Sequence, residues 1–249
     1  MLLTDRYIGG FTLAQAGIPA GDVDFSSCSA LFDGSSGYVD IPPGPFNLTN
    51  ALTVVAWVKA ASVSHFSGVV GRGDSSWRLT LNASGKPGGD AAHIYADATS
   101  STSIAGANWH LLAYTYSGVP NATNNGLLAV DGVAKATNTV GVFAGNTSDV
   151  WIGGSPDYST ARLLAGNLAQ VAVFTNTFSV AQLAALYHTG TNTAPVICLS
   201  TRTADGGLEL LWRGTLWQAT NILGPWTTNT SISPAALTPT HAQMFFRAQ

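Results

Sequence analysis

Charged side chains are scarce in this sequence of 249 residues, where Asp, Glu, Lys and Arg together make up 9%. An ordinary globular protein has roughly 25%. Lysine occurs three times, no basic cluster is present, and the formal net charge is −3. Nucleic acids and anionic membrane surfaces are bound through clustered Lys and Arg, so both classes of partner are excluded. The apolar runs also fall short of the roughly 20 residues of a membrane-spanning helix, so we expect no membrane insertion.

Glutamate is almost absent, since Glu209 is the single one in the chain. Glycoside hydrolysis needs two carboxylates that face each other across the scissile bond, and no such pair is evident along one strand. No Gly-x-Ser-x-Gly nucleophile motif occurs. No two of the five histidines have metal-ligand spacing. We therefore predict that the chain is not an enzyme.

Cysteine is rare as well. Cys28 and Cys198 lie far apart and form no Cys-x-x-Cys pattern, which leaves a disulfide or two buried free thiols, and the thiols are the simpler interpretation. The opening Met1-Leu2-Leu3 meets Asp5 and Arg6 too early for a signal peptide. We expect a mature or trimmed product, or one exported by another route, because the lysine-poor surface favours an extracellular or cell-surface location.

Short alternating strands punctuated by Gly, Asp and Pro fill most of the chain. Residues 30–60 show the pattern, with an apolar strand, the Asp33-Gly34 turn, a short strand ending at Pro42-Pro43, and a longer strand around Trp57. Such strands without intervening helices predict an antiparallel sandwich or jelly roll. One helix is expected after Ser179, because Gln182 completes a capping box.

These residues resemble laminin-G-like domains of the concanavalin A type, over about residues 9–190. The segments that carry the resemblance are residues 30–39, the Trp57 strand, Trp109-His110, residues 130–132, residues 151–154, and the strand and helix of residues 166–187. The resemblance implies an all-β, antiparallel two-sheet jelly-roll sandwich with one short helix, which we place at residues 1–191. This superfold serves lectins, glycosidases and adhesion modules alike, so it does not specify the function.

Residues 192–249 resemble a small C-terminal β module of bacterial surface and secreted proteins. The matching residues are 208–212, 219–221, 224–226 and 245–247. We expect a small β-sandwich of the fibronectin or immunoglobulin kind, and the resemblance makes a bacterial source the natural expectation. A module of this size is only marginally stable alone.

Calcium is the ion that the sequence makes plausible, because it takes oxygen ligands. Asp22, Asp24 and Asp33 are the candidate donors near the rim of the sandwich. The alternative for Asp33 is a simple Asp-Gly turn. Family members commonly have acids where this chain has Ala169 and Gln170, which argues against calcium.

Aromatic side chains on the surface would let the sandwich stack on sugar rings. Trp77, Tyr158 and Tyr38 are the candidates for glycan binding, although most tryptophans of such a fold pack in the core. We predict Trp57, Trp109 and Trp151 to be core residues. Arg72-Gly73-Asp74 spells an integrin-type tripeptide, which we interpret as a hairpin turn.

Five Asn-x-Ser/Thr sequons are candidate glycosylation sites. They begin at Asn47, Asn82, Asn121, Asn146 and Asn229.

The function that the sequence favours is a non-catalytic extracellular module for structure or adhesion, as a self-assembling subunit of a surface layer or filament. We expect other copies of the chain as partners, with residues 2–11 or 243–247 pairing with a sheet edge of the next copy, or residues 2–11 folding back into their own sandwich. The alternative function is a lectin-like module that binds surface glycans. A degenerate glycosidase is a third hypothesis, against which the missing glutamates argue.

Overall fold

The computed structural model describes residues 6–8, 11–16, 28–61, 63, 65–91, 96–142, 145–191, 196–202, 208–213, 215–231, 235–237 and 244–248. The chain divides into two compact units, one made of Met1–Gln15 with Ser29–Tyr187 and one made of Ala16–Cys28 with His188–Gln249. The sequence-based boundary between residues 191 and 192 stays a prediction.

Fourteen strands form two seven-stranded antiparallel sheets in the first unit. They are β1 Arg6–Ile8, β2 Phe11–Ala16, β3 Cys28–Asp33, β4 Tyr38–Ile41, β5 Leu52–Ala60, β6 Ser67–Gly71, β7 Trp77–Leu81, β8 Pro87–Ala91, β9 Ala98–Thr99, β10 His110–Tyr116, β11 Gly126–Val130, β12 Val133–Asn138, β13 Val150–Ile152 and β14 Ala165–Phe174. Sheet A has the order β1-β4-β13-β6-β7-β8-β9, and sheet B has the order β12-β11-β10-β5-β14-β3-β2. Two short 3-10 helices lie at Gly44–Phe46 and Ser159–Arg162. The predicted two-sheet jelly roll is confirmed.

The core of this unit follows from alternation along the strands. In β5, Leu52, Val54 and every second residue to Ala60 are buried in the cluster that the two sheets share, because side chains alternate between the faces of a strand. The sheets approach closely where β8 has Gly89, since a Cβ there would lie 2.4 Å from the Tyr114 ring. The intervening Trp57 points to the outer face of sheet B.

One α-helix, α1, spans Val180–Thr191 and covers part of that outer face. The predicted capping box is confirmed, because the Ser179 backbone amide donates to Gln182 Oε1 at 2.9 Å and the Gln182 amide donates to Ser179 Oγ at 3.3 Å. Tyr187 of α1 stacks on Trp57, with ring centroids 5.7 Å apart. Within the described residues no helix is both long and apolar enough to cross a membrane.

The second unit contains two three-stranded antiparallel sheets. Its strands are β15 Val196–Arg202, β16 Leu208–Arg213, β17 Leu216–Ala219, β18 Thr227–Thr228, β19 Ala235–Leu237 and β20 Phe245–Ala248. Leu210 and Trp212 from one sheet pack with Leu216 and Phe246 from the other. The predicted small β-sandwich at this end of the chain is therefore present.

Within the two segments that the sequence offered for pairing with another copy, residues 6–8 and 245–247 are paired within this chain. Arg6–Ile8 joins β4 at one edge of sheet A, and Phe245–Ala248 joins β17. For residues 6–8 the structure therefore matches the alternative prediction, an edge strand of the same sandwich.

Of the three tryptophans predicted for the core, Trp57 is buried, whereas Trp109 and Trp151 are only half-buried. Trp57 is 2% exposed, but it packs under α1 and outside the inter-sheet core. Trp109 is half-buried beneath the Lys59 ammonium, which lies 5.4 Å from the ring centroid. Trp151 is half-buried on the outer face of sheet A, because its neighbours Val150 and Ile152 are the residues that point inward.

Asp33 forms the turn between β3 and β4. Its carboxylate accepts hydrogen bonds from the backbone amides and hydroxyls of Ser35 and Ser36 at 2.8–2.9 Å, and from the Gly37 amide at 3.2 Å. Desolvation works to raise the pKa of Asp33, but the hydrogen bonds outweigh it, and the pKa lies well below the ordinary value of 3.8. The turn interpretation of Asp33 therefore describes its geometry, and its oxygens are already satisfied without a cation.

Trp57→Ala should lower the free energy of unfolding by about 3–5 kcal/mol, because it removes a buried aromatic side chain and the packing of α1 on sheet B. Urea unfolding measures the change. An unchanged midpoint and slope would contradict the assigned packing.

Asp33→Ala should destabilise the protein at neutral pH and much less in acid. The folded pKa is depressed, so the carboxylate contributes stability above its unfolded value of 3.8, and this contribution is lost as the pH falls below that value. The difference in unfolding free energy between wild type and variant should therefore shrink between neutral pH and about pH 2. A difference independent of pH would refute the role of the charged form.

Candidate functional site

The outer face of sheet A is open where β4 and β13 meet. Trp151 on β13 lies opposite Asp40 on β4 and opposite Gly71 on β6. Opposed residues of antiparallel neighbours point to the same face, so Trp151 and Asp40 share the outer face. Further across the sheet, all residues of β6, β7 and β8 are buried. The region around Trp151 is therefore an accessible part of this face, next to three strands that are buried throughout.

An open depression of about 510 Å³ occupies this region. Its lining residues are Tyr38, Asp40, Thr147, Ser148, Asp149, Trp151 and Pro156. The volume lies within the range of small-molecule binding clefts, roughly 300–1,000 Å³.

Two aromatic side chains form one wall of the depression. The Tyr38 and Trp151 rings stack with centroids 3.7 Å apart and planes inclined by 20°. Tyr38 lies two residues before Asp40 on β4, so it is the diagonal neighbour of Trp151. The stack fixes the orientation of both rings, since each limits the rotation of the other.

Polar side chains form the remainder of the lining. The Asp40 carboxylate is almost fully buried, at 3% exposure, while Asp149 is half-buried and Thr147 is exposed. Together with Ser148 they provide two carboxylates and two hydroxyls beside an aromatic wall. A cleft with an apolar surface and a few convergent polar groups can orient a polyhydroxylated molecule.

The segment that carries Thr147, Ser148 and Asp149 is held by a buried arginine. Arg72 has no solvent exposure; its Nε donates to the Ser148 carbonyl at 3.0 Å and its Nη2 to the Asn146 carbonyl at 2.7 Å. Its Nη1 donates to Asn47 Oδ1 at 2.8 Å. Burial lowers the pKa of the Arg72 guanidinium, and the charge of Asp149 counteracts this.

The integrin-type interpretation of residues 72–74 is excluded by this burial. Arg72 cannot meet a receptor while its side chain is enclosed. The Arg72 amide donates to the Trp77 carbonyl at 3.0 Å, which closes the hairpin between β6 and β7. Gly73 adopts φ +86° within it, a conformation that favours glycine. The predicted hairpin turn is what the structure contains.

Only one of the three predicted sugar-stacking residues lines the depression, and it is Tyr38. Trp77 is completely buried, and its indole Nε1 donates to the Phe46 carbonyl at 3.0 Å. It shares its strand face with Leu79 and Leu81 in the core. The Trp77 assignment was wrong, because an enclosed ring cannot stack on a sugar.

Tyr158 is exposed, but its ring already contacts another side chain of the protein. The Arg162 guanidinium lies 3.2 Å from the Tyr158 ring centroid, and the Tyr158 hydroxyl donates to Asp74 Oδ2 at 2.6 Å. That hydrogen bond raises the pKa of Tyr158. These contacts tie the loop after β13 to the β6–β7 turn, so Tyr158 supports the loop that carries Pro156.

Of the three predicted calcium donors, the structure describes only Asp33, so the calcium site stays a prediction. Asp22 and Asp24 lie outside the described residues, and Asp33 is occupied by its turn. Among the residues that the structure describes, no group of three or more His, Cys, Asp or Glu is arranged to hold a metal ion. Cys28 begins β3 and Cys198 lies in β15, and the disulfide between them stays a prediction.

The five sequons differ in how far their amide groups are engaged. Asn146 Nδ2 donates to the Arg72 carbonyl at 2.8 Å and to Ser75 Oγ at 2.9 Å, so both of its hydrogens are used. Asn229 Nδ2 donates to Gln218 Oε1 at 2.7 Å. The Oδ1 atoms of Asn47 and Asn82 accept hydrogen bonds. Asn121 is exposed. Glycosylation stays a prediction at these positions.

Sequence reasoning assigned only Tyr38 to this region and missed the other six lining residues as well as Arg72. Alternation within Val150-Trp151-Ile152 carried the signal for Trp151, because two aliphatic residues flank it and a strand has one buried face. Asp149 and Arg72 had no comparable signal, since their positions depend on loops far apart in the sequence.

A laminin-G-type family model described as the concanavalin A-like lectin/glucanases superfamily matches residues 33–184, which is more than half of the chain. No curated protein matches the sequence. Solved structures with the same fold are remote in sequence.

Three of these structures come from a neurotoxin, a mosquitocidal protein and an arabinanase. The structure of botulinum neurotoxin type C, whose cell entry depends on interaction with two ganglioside molecules, has a TM-score of 0.57 and 11% identity over 88% of this chain. The binding domain of Paraclostridial Mosquitocidal Protein 1 has a TM-score of 0.58 and 10% identity, and the match covers 98% of this chain and 68% of that one. Domain 4 of AbnA, an extracellular arabinanase from Geobacillus stearothermophilus solved with arabinotriose, has a TM-score of 0.52 and 18% identity over 72% of this chain and 89% of that chain.

This chain spans about half of the length of the neurotoxin structures that it matches, 52% in the type C case. At these identities the likeness concerns the fold alone. The match of the family model extends from the Asp33 turn to α1 and includes every residue that lines the depression. The chain belongs to the concanavalin A-like lectin/glucanases superfamily.

Proposed function

We propose that the chain is a non-catalytic, lectin-like module that binds a neutral oligosaccharide in the depression beside Tyr38 and Trp151. The observation that carries the proposal is the stacked aromatic pair, left half-buried on a sheet face where β6, β7 and β8 are buried throughout. A sugar ring has C–H groups on one face and hydroxyls around its edge. The aromatic surface suits the first, and the carboxylates and hydroxyls of the lining suit the second.

The charge of the lining favours a neutral ligand. Asp40 and Asp149 are the charged residues among the described lining, and the adjacent Arg72 uses all three guanidinium nitrogens on protein acceptors. A sialic acid or uronic acid would bring a carboxylate next to two others, and such like-charge contacts disfavour binding. The arabinotriose bound by the arabinanase domain is a neutral ligand on the same fold, whereas the gangliosides of the neurotoxin represent the acidic alternative.

An extracellular location and the absence of catalysis belong to the same proposal. One structural neighbour is an accessory domain of an extracellular enzyme, and the single glutamate, Glu209, lies on β16 of the second unit. Glycoside hydrolysis needs two carboxylates at the scissile bond. Of the two in the depression, Asp40 is enclosed and lies beneath the open surface. Binding without turnover is what this lining supports.

Self-assembly into a surface layer or filament is the function that the sequence favoured first, with the lectin-like module as its alternative. The described residues of the two segments expected to reach a neighbouring copy are paired internally, so no observation in the described residues favours assembly over glycan binding. The size of the native particle in solution tests it, because a monomer that binds glycans would overturn the filament.

Trp151→Ala should weaken binding to a responsive neutral oligosaccharide by about 30-fold, the effect of losing an aromatic hot spot worth about 2 kcal/mol. The full-length chain would be titrated with arabinotriose and other neutral oligosaccharides, and with a sialylated ganglioside headgroup. Tyr38→Ala should give a similar loss. Trp109→Ala is the matched control, because Trp109 is also half-buried but lies beneath Lys59 and away from the depression lining.

Equal losses for Trp109→Ala and Trp151→Ala would contradict the assigned site. Binding of the sialylated headgroup in preference to every neutral oligosaccharide would contradict the ligand class. Binding that is unchanged in both Trp151→Ala and Tyr38→Ala would show that the ligand does not bind at this face.

A further inference from the structure

We propose that Arg72 is the positioning residue of the binding depression, and that its buried guanidinium sets the place of the segment 146–149 from which three lining residues project. The placement of the segment by Arg72 is inferred from hydrogen-bond geometry alone. Its effect on oligosaccharide binding rests on the proposed function. Neither the hairpin turn nor the stability of the core accounts for where the guanidinium is directed.

The cost of burying a charge explains why Arg72 must hold these loops. A guanidinium without solvent contact is stable only when acceptors satisfy its donors. Here each nitrogen has an acceptor within 3.0 Å, and the acceptors come from the segments around residues 47 and 146–148. If either segment moved away, the charge would be left uncompensated in the interior.

The position of the acceptors links this requirement to the depression. The carbonyls of Asn146 and Ser148 flank Thr147, and Thr147, Ser148 and Asp149 all line the depression. The link is reciprocal, because Asn146 Nδ2 donates back to the Arg72 carbonyl at 2.8 Å. A change in the direction of the guanidinium would therefore displace the polar wall relative to the Tyr38 and Trp151 rings.

Lysine cannot replace arginine in this role. Its ammonium is a single centre on a flexible stem, whereas the guanidinium presents donors in a planar fork. Three acceptors on two segments match the fork. Arg72→Lys keeps the charge and most of the volume, so it isolates the geometry of the hydrogen bonds from the presence of a cation.

Arg78 offers a matched control on the adjacent strand. It is 4% exposed; its Nη2 bonds Asp97 at 2.6 Å and Asp90 at 3.3 Å, and its Nη1 donates to the Asp74 carbonyl at 3.0 Å. None of these three partners lines the depression. Arg78→Lys therefore disturbs a buried arginine of the same sheet without touching the segment 146–149. Asn47→Ala is a second variant, which removes the acceptor of Arg72 Nη1 at 2.8 Å and also that of the Asn146 amide at 3.3 Å. Exchange in this variant is therefore read at residues 147–149, whose amides Asn47 does not accept from.

The experiment compares wild type, Arg72→Lys, Arg78→Lys and Asn47→Ala by amide hydrogen exchange, by urea unfolding, and by titration with the neutral oligosaccharide that wild type binds. We expect Arg72→Lys to raise exchange at residues 145–149 and to weaken binding by about tenfold each, the scale of one lost hydrogen bond to a charged group. Asn47→Ala should also raise amide exchange in this segment and weaken oligosaccharide binding, each by a smaller factor than Arg72→Lys. Arg78→Lys should leave both at wild-type values, even where it destabilises the fold equally.

Several results would overturn the proposal. Unchanged exchange at residues 145–149 in Arg72→Lys refutes the positioning role, and so does a loss of affinity that is the same for Arg72→Lys and Arg78→Lys at equal stability. If Arg72→Lys does not fold, unchanged exchange in Asn47→Ala refutes it. If wild type binds no oligosaccharide, the proposed function fails while the exchange measurement still decides the role of Arg72.

Discussion

A buried cation in a protein with little charge must be neutralised and hydrogen-bonded by what lies close to it, and this constraint organises sheet A. Arg72 and Arg78 flank the turn between β6 and β7 and are both buried. Arg78 meets Asp90 and Asp97, whereas Arg72 meets mainly neutral carbonyl and amide oxygens. The first arrangement closes the sheet face over β7 and β8, and the second holds a loop beside the part that stays open. Arg78 thus stabilises the buried part of the face, and Arg72 supports the loop beside the depression.

Much of the fold could be predicted because its signals are local. The alternation in β5, the Asp33 turn and the Ser179–Gln182 capping box each involve residues within a few positions of one another. The orientation of Trp77 was also encoded locally, since it is in phase with Leu79 and Leu81, both apolar. Treating it as a surface residue gave more weight to the adjacent serines than to the period of the strand.

The candidate site could be predicted only in part, since its residues come together through long-range pairing. Tyr38 and Trp151 are neighbours because β4 pairs with β13. In the sequence, strands β5–β12 lie between these two. The Arg72 side chain reaches Asn47 and Ser148 across 25 and 76 positions of sequence. Nothing within the Arg72-Gly73-Asp74 motif indicates such partners, and so a short motif suggested a surface role for a residue that is enclosed.

The region around Trp151 is less buried than the neighbouring strands of sheet A. The same sheet encloses every residue of three successive strands, and its sequence could have covered the Tyr38–Trp151 pair in the same way. Two large aromatic side chains that stay half-buried leave apolar surface in contact with water and so forgo part of the stabilisation that full burial would bring. Their mutual stacking recovers part of this, and an occupant of the depression would recover more. The superfold leaves such faces to the loops that frame them, and in this chain the framing loop is set by one guanidinium. The chemistry of the depression therefore depends on Thr147, Ser148 and Asp149 as much as on the aromatic pair, and a relative with the same strands but another residue at position 72 should differ in ligand before it differs in fold.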